Sequence, residues 1–285
     1  MKTILYGNGL NLITNPNLSW DALLPQIDNN WQVPQTLRCI MLPNTIQYDQ
    51  MELKSREQSM VLLDNLCHII NGNWGNKIYE DLSKLDDVNF LTTNYDLTLE
   101  SYLSYHQQGK EILYNMYSHY ATNTHTHNLY GQNNIWHIHG DVNRPQSIIL
   151  GYDHYCKQIA KIREYIPLSY TELLSKNNSR QRKEFYEWGK KTWVDLFFTS
   201  DVYILGLGLS YAELDLWWLI DLWARCKKQK LVNNSIVYID AKNNAESLCK
   251  KPFRKVLEDF EVSYLQFVED TYELAYYKAI QYIRS

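Results

Sequence analysis

The segment IWHIHGD, residues 135–141, closes an apolar run with two imidazoles, a glycine and a carboxylate. An imidazole titrates near neutral pH, so a histidine held at a strand end can serve as a general base. His139, the last side chain before Gly140, is the candidate for that chemistry, whereas His137 reads as a core histidine satisfied by a neighbour. His125 and His127 repeat the alternate spacing, and YGQNN at 130–134 could turn one segment against the other. Four imidazoles could then bind zinc, provided that their geometry converges, which strand alternation does not guarantee.

Other polar clusters offer the histidines company. TTNYD (92–96) supplies the hydroxyls of Thr92 and Thr93, the amide of Asn94 and the carboxylate of Asp96, a set able to orient a ribose and a carboxamide. Its alternative is a helix cap made by Asn94 or Asp96. In YGNGLN (6–11), Gly7 and Gly9 let backbone N–H groups approach a phosphate, although Leu12 breaks the full dinucleotide-binding pattern and a tight turn would also use these glycines. LGLGLSYAELD (205–215) repeats the theme with Gly206, Gly208 and Ser210, and places Asp215 inside an apolar helix, where it could cap the N-terminus. Asp240, after VYI, stands where a carboxylate commonly receives ribose hydroxyls, or is an ordinary turn residue.

These clusters need elements to hold them. Apolar runs at the start of the chain, at 88–96, 135–141, 201–210 and 235–241 read as strands. Helices are expected at 20–27 with Ser19 as a cap, over much of 30–86 with Met60, Leu63, Cys67 and Ile70 on one face, and at 97–105. Further helices are expected over 156–198 around a polar hinge at 175–183, from Tyr211 onward, and at 270–284. Strands alternating with helices predict an α/β fold, a parallel sheet with helices on both faces and a helical accessory part. The chain reads as one domain, 1–285, with helical insertions near 30–86 and 156–198. Every polar cluster then falls at the C-terminal end of a strand, the edge where such sheets collect ligands.

Bulk properties narrow the class. Of 285 residues, 45% are hydrophobic and 21% charged, the make-up of a soluble globular protein. A net charge of −4 with no basic block provides no footprint for nucleic acid or an anionic membrane. The 23 Tyr and 9 Trp are expected to fill cores or an oligomer interface. MKTILYGNGLNLI begins like a signal peptide, but glycines interrupt it, and the apolar run at 214–224 holds two aspartates and is too short to span a bilayer. Five cysteines without a CxxC pair support neither a zinc ribbon nor a disulfide framework, so a cytoplasmic protein is expected.

The order of strand-GNG-LN, LSWDALL, TTNYD, HIHGD…SIILGYDHY and ILGLGLSYAELD resembles the SIR2-like domains of prokaryotes, from residue 1 to about 240. These are relatives of sirtuins often found in antiphage defence. The same motifs look like those of AbiH-type abortive-infection proteins. The resemblance implies a Rossmann-like domain holding NAD, with Gly7, Gly9 and Asn11 in the first phosphate loop and Gly206, Gly208 and Ser210 in a second loop near the adenosine. It implies that Asn94, Asp96 and His139 are catalytic, with Asp96 near the nicotinamide, and Thr93 and Asp240, read above as ribose contacts, are expected to join the dinucleotide site.

Sirtuins differ in carrying GAG followed by serine, zinc-binding cysteine pairs, and an arginine without a counterpart in ITNPNLSWD. Without the zinc module water becomes the expected acceptor, ahead of an acyl-lysine. The expected activity is NAD+ hydrolysis to nicotinamide and ADP-ribose, with NAD as substrate and no zinc, in antiphage defence by NAD+ depletion. Restraint of such an activity implies a homo-oligomer or a regulatory or sensor protein partner. Two readings from other classes stay open: a non-catalytic NAD or ADP-ribose sensor module, and a metal-dependent hydrolase using the histidine cluster. Protein deacylation is a third, within the same fold.

Overall fold

The structure, a computed structural model, describes residues 1–27, 64, 66–70, 75–106, 128–130, 133–150, 152–166, 193–210, 213–246 and 251–285. Short apolar runs form β1 (Lys2–Tyr6), β2 (Val88–Thr92), β3 (Asn128–Tyr130), β4 (Asn133–His137), β5 (Asp201–Leu205), β6 (Ile236–Asn243) and β7 (Ser263–Glu269). They make one sheet in the order β3-β4-β2-β1-β5-β6-β7, parallel except for β3, which pairs antiparallel with β4. Apart from β3, the order is third, second, first, fourth, fifth, sixth along the chain, the Rossmann-like doubly wound arrangement. All five residues of β2 are buried, as a strand covered on both faces requires.

The helices are α1 (Gly9–Leu12), α2 (Trp20–Ile27), α3 (Lys77–Ser83), α4 (Thr98–His106), α5 (Tyr152–Tyr165), α6 (Trp193–Thr199), α7 (Leu214–Lys228), α8 (Arg254–Asp259) and α9 (Tyr272–Arg284). Strand alternation sorts them into two layers. Leu5, Leu91, Trp136, Ile204 and Tyr238 face one layer, where Trp193 and Phe197 of α6 and Leu219 and Trp223 of α7 are buried. Ile4, Tyr6, Phe90, Ile135 and Ile239 face the other, with Tyr79 of α3, Leu103 of α4 and Ile280 of α9. Ser19 caps its helix as expected, its Oγ accepting from the Ala22 amide at 3.4 Å, and Thr271, not expected from the sequence, does the same, its Oγ1 accepting from Leu274 at 3.2 Å.

Three strands end sooner than their apolar runs suggest, among them β5 at Leu205. β2 stops at Thr92 and β4 at His137, so Asn94, Asp96 and His139 lie in the loops beyond. Residues 242–270, which carried no expected element, complete β6 and form α8 and β7; the edge strand β7 has no fully buried residue and so lacks the apolar contrast of the inner strands. In the predicted 30–86 insertion, Cys67 and Ile70 are buried with Leu66 against Tyr95, Ile148 and Leu150, while Met60 and Leu63 lie outside the described residues.

Gly140 makes the bend that carries the chain away from His139. Its φ is +87°, and a Cβ there would meet Ser147 O at 2.3 Å and Ile148 N at 2.7 Å. Backbone cannot yield as a flexible side chain would. Gly140→Ala is therefore expected to lower stability by more than about 1 kcal/mol, read as a reduced urea midpoint; an unchanged midpoint contradicts this account of the turn.

Candidate active site

A cavity of about 500 Å³ runs along the C-terminal ends of β1, β2, β5 and β6. Of the residues predicted from sequence to form a site, His139, Asn94, Asp96, Thr93, Gly9, Asn11, Gly206, Gly208, Ser210 and Asp240 line it. Gly7 lies behind the wall, where a Cβ would meet Leu207 Cδ1 at 2.6 Å.

The two histidines of IWHIHGD diverge. His137 is the last residue of β4 and points to the α4 layer, where its Nε2 lies 2.6 Å from Glu100 Oε1 and its Nδ1 2.9 Å from the Asn94 carbonyl. His139 follows a turn, and its Nε2 lies 3.0 Å from Asp215 Oδ2 of α7, on the opposite face of the sheet. The expectation that both share one strand face, as half of a zinc site would need, is thereby overturned: the strand ends between them. His125 and His127 lie outside the described residues.

Both pairs are buried, and their titration follows. Burial alone would depress His139, but the Asp215 carboxylate, with Glu213 beyond it, more than offsets this and the net shift is upward. Since an ionised carboxylate only accepts, Nε2–H donates to Asp215, and Nδ1 is left as the ring nitrogen without a hydrogen bond among the described residues. Tyr155, also on the cavity wall, stands edge-on to the His139 ring at 5.3 Å between centroids. For Asp215 this replaces the cap expected from sequence with an orienting role, although its Oδ1 also accepts from the Leu216 amide.

Asn94 touches His137 and lines the same cavity as His139. Its carbonyl meets His137, its Nδ2 donates to Tyr79 OH at 3.4 Å, and its Oδ1 is buried without a hydrogen-bond partner among the described residues. A buried amide oxygen left unpaired costs about 1–3 kcal/mol, so a ligand hydroxyl or water is its natural complement. Asp96 is both cap and brace: Oδ1 accepts from Thr98 N at 3.0 Å and Oδ2 from Asn11 Nδ2 at 2.7 Å. Asn11 Oδ1 in turn accepts from Tyr79 OH at 2.6 Å. Asn11 and Asp96 thus hold the β1 and β2 loops together.

The two glycine loops touch. Gly9 N–H donates to Gly206 O at 2.8 Å, and a Cβ on Gly9 would meet that oxygen at 2.6 Å. At exposed Gly208, by contrast, a Cβ would meet nothing within 4 Å, so the backbone there is open to a ligand. Ser210 N–H donates to Glu213 Oε2 at 2.7 Å. Glu213 was not singled out from sequence; its proximity to Asp215 in SYAELD was the available signal. Burial pushes its carboxyl up to about 7, with Asp215 adding to the rise against the pull of His139 and the Ser210 amide. At the β6 end, Asp240 Oδ2 is met by Lys242 Nζ at 2.9 Å, Tyr264 OH, and Gln266 Nε2 at 3.4 Å. Lys242 and Lys251, also missed from sequence, line the cavity there.

An α/β protein with a cleft at a switch point of its parallel strands belongs among nucleotide-binding folds. The family model of the SIR2-like domain matches residues 88–181, bearing out the SIR2 resemblance with a segment that contains Asn94, Asp96, His137 and His139. The match supports an NAD-related activity in general. No curated protein matches the chain. Among the described residues, no helix is long and apolar enough to cross a membrane.

His137 offers a test of the buried pairs. Burial would lower its pKa, but Glu100, followed by Asp141 and the Asn94 carbonyl, raises it from 6.5 to about 9. A folded-state pKa above the unfolded one stabilises fully below the unfolded value, and that contribution is lost as pH rises through the folded value. The urea midpoint is expected to fall between pH 6.5 and about 9, and to fall less in Glu100→Gln. Equal slopes in the two proteins would remove the pair as the cause.

Proposed function

We propose that the cavity binds NAD+ and hydrolyses its nicotinamide–ribose bond, giving nicotinamide and ADP-ribose. The observation that carries the reading is the meeting, on one cavity wall, of Asn94 with a buried unpartnered amide oxygen and of His139 braced by Asp215. The SIR2-like match over that segment supports NAD as the ligand.

The bond from C1′ to the pyridinium nitrogen breaks and its electron pair leaves with nicotinamide, which departs neutral. The ribose is then oxocarbenium-like, and water adds to C1′. Asn94 Oδ1 accepts from a ribose hydroxyl or from that water and fixes its position. His139, with Nε2–H directed to Asp215, takes the proton on Nδ1. The open backbone at Gly208 and the Gly206 turn let the pyrophosphate approach closely. Asp215, behind His139, stabilises the imidazolium that forms when the ring takes the proton. The physiological setting proposed is antiphage defence by NAD+ depletion, restrained by self-assembly or a sensor partner; the SIR2-like resemblance supports it.

His139→Ala and Asn94→Ala are each expected to slow nicotinamide release by about 10²–10⁴-fold, followed by product analysis with NAD+. Full activity in His139→Ala would sink the catalytic assignment. Tight NAD+ binding with no release by the wild type would instead indicate a sensor module.

The base must be neutral, and its pKa is raised above 6.5. kcat/KM is therefore expected to climb with pH on a limb centred above that value. Asp215→Asn removes the charge that holds the proton, so the limb should move to lower pH while kcat falls. A limb that stays in place separates Asp215 from the titrating base.

A further inference from the structure

Asp240 is where a strand-end carboxylate would be expected to select an unphosphorylated ribose, by accepting from its 2′-hydroxyl and repelling a phosphate. This structure does not leave it in that condition. Asp240 is 3% exposed, and its Oδ2 is met by Lys242 Nζ, Tyr264 OH and Gln266 Nε2. Lys242, two residues along the same strand face, is 2% exposed, so its ammonium is held against the cavity wall by the carboxylate it neutralises. Lys251 lines the same end, half-exposed, and forms no ion pair with the described residues. Arg254 lies over the Tyr264 ring at 4.7 Å behind Asp240, its charge paired with Glu258 at 2.7 Å. The other carboxylate at this end, Glu246, is exposed to solvent, where its charge is screened.

A ribose hydroxyl needs neither lysine. A dianionic phosphate needs both, since transfer from water into a partly enclosed cavity is favourable only against cationic donors. If nicotinamide lies beside Asn94 and His139, the remainder of the dinucleotide passes the β5 loop and its adenosine ribose arrives at the end of β6. We propose that Lys242 and Lys251 form a phosphomonoester subsite that admits the 2′-phosphate of the adenosine ribose, so that NADP+ is a substrate alongside NAD+. The inference rests on the dinucleotide reading above and extends it to the phosphorylated substrate.

Calorimetric titration with ADP-ribose and with 2′-phospho-ADP-ribose tests the subsite independently of turnover. The phosphorylated ligand is expected to bind at least as tightly as ADP-ribose. Lys251→Ala should weaken it by about 10–100-fold and ADP-ribose by less than about threefold, as loss of a hydrogen bond to a charged group predicts. Lys242→Met should act in the same direction, and NADP+ should release nicotinamide in the wild type. Three outcomes overturn the inference: ADP-ribose binding while its 2′-phosphate form binds more than about tenfold more weakly, NAD+ cleavage without NADP+ cleavage, or an equal loss for both ligands in Lys251→Ala. The last would place the lysine on the shared pyrophosphate. Binding of neither ligand would remove the dinucleotide reading itself.

Discussion

The arrangement depends on β1 being hydrogen-bonded on both edges in matched register. Tyr6 pairs with Thr92 on one side and Leu205 on the other, so three strands run out of apolar sequence along one line. The chain arrives on both sides of β1 from different parts of the sequence, and the loops after β1 and β5 must separate or collide. Glycine lets them touch, with Gly9 N–H on Gly206 O. Shifting either pairing by a residue would turn every side chain over and bury the wrong face.

From that line the chemistry is distributed by sheet face. His137 still belongs to its strand and is directed to Glu100; His139 comes after the strand and reaches Asp215 across the sheet edge. One imidazole thus braces the Asn94 loop, and the other lies on the cavity wall with its Nδ1 unbonded among the described residues. In a low-dielectric interior each requires its own carboxylate, since an unpaired buried cation is far costlier than a paired one. Glu213 and Asp215, only two residues apart, both act on the titration of His139.

Much of this was legible in the chain. The inner strands are apolar runs because both faces are covered, and their starts were readable to within a few residues. The polar clusters stood out because hydroxyls, amides and carboxylates interrupt those runs where a core would exclude them. The β7 strand was not legible, since an edge strand such as SYLQFVE lacks a contrast between buried and exposed positions. Nor was the end of β4: apolar Ile138 continues the pattern past the last paired residue, its N–H still donating to Thr92 O, and the chain turns there.

The sequence by itself determined the α/β class and the glycine loops, because local composition records burial and backbone freedom; the candidate pair of Asn94 and His139 came from the SIR2-like resemblance. Only the tertiary structure decided which histidine faces the cavity, that Asp215 serves it rather than capping a helix, and that Asp240 is neutralised by Lys242. Those outcomes depend on which groups meet across strands far apart in the chain. Electrostatic pairing in a buried site is set by distances of a few ångströms that no spacing along the chain encodes.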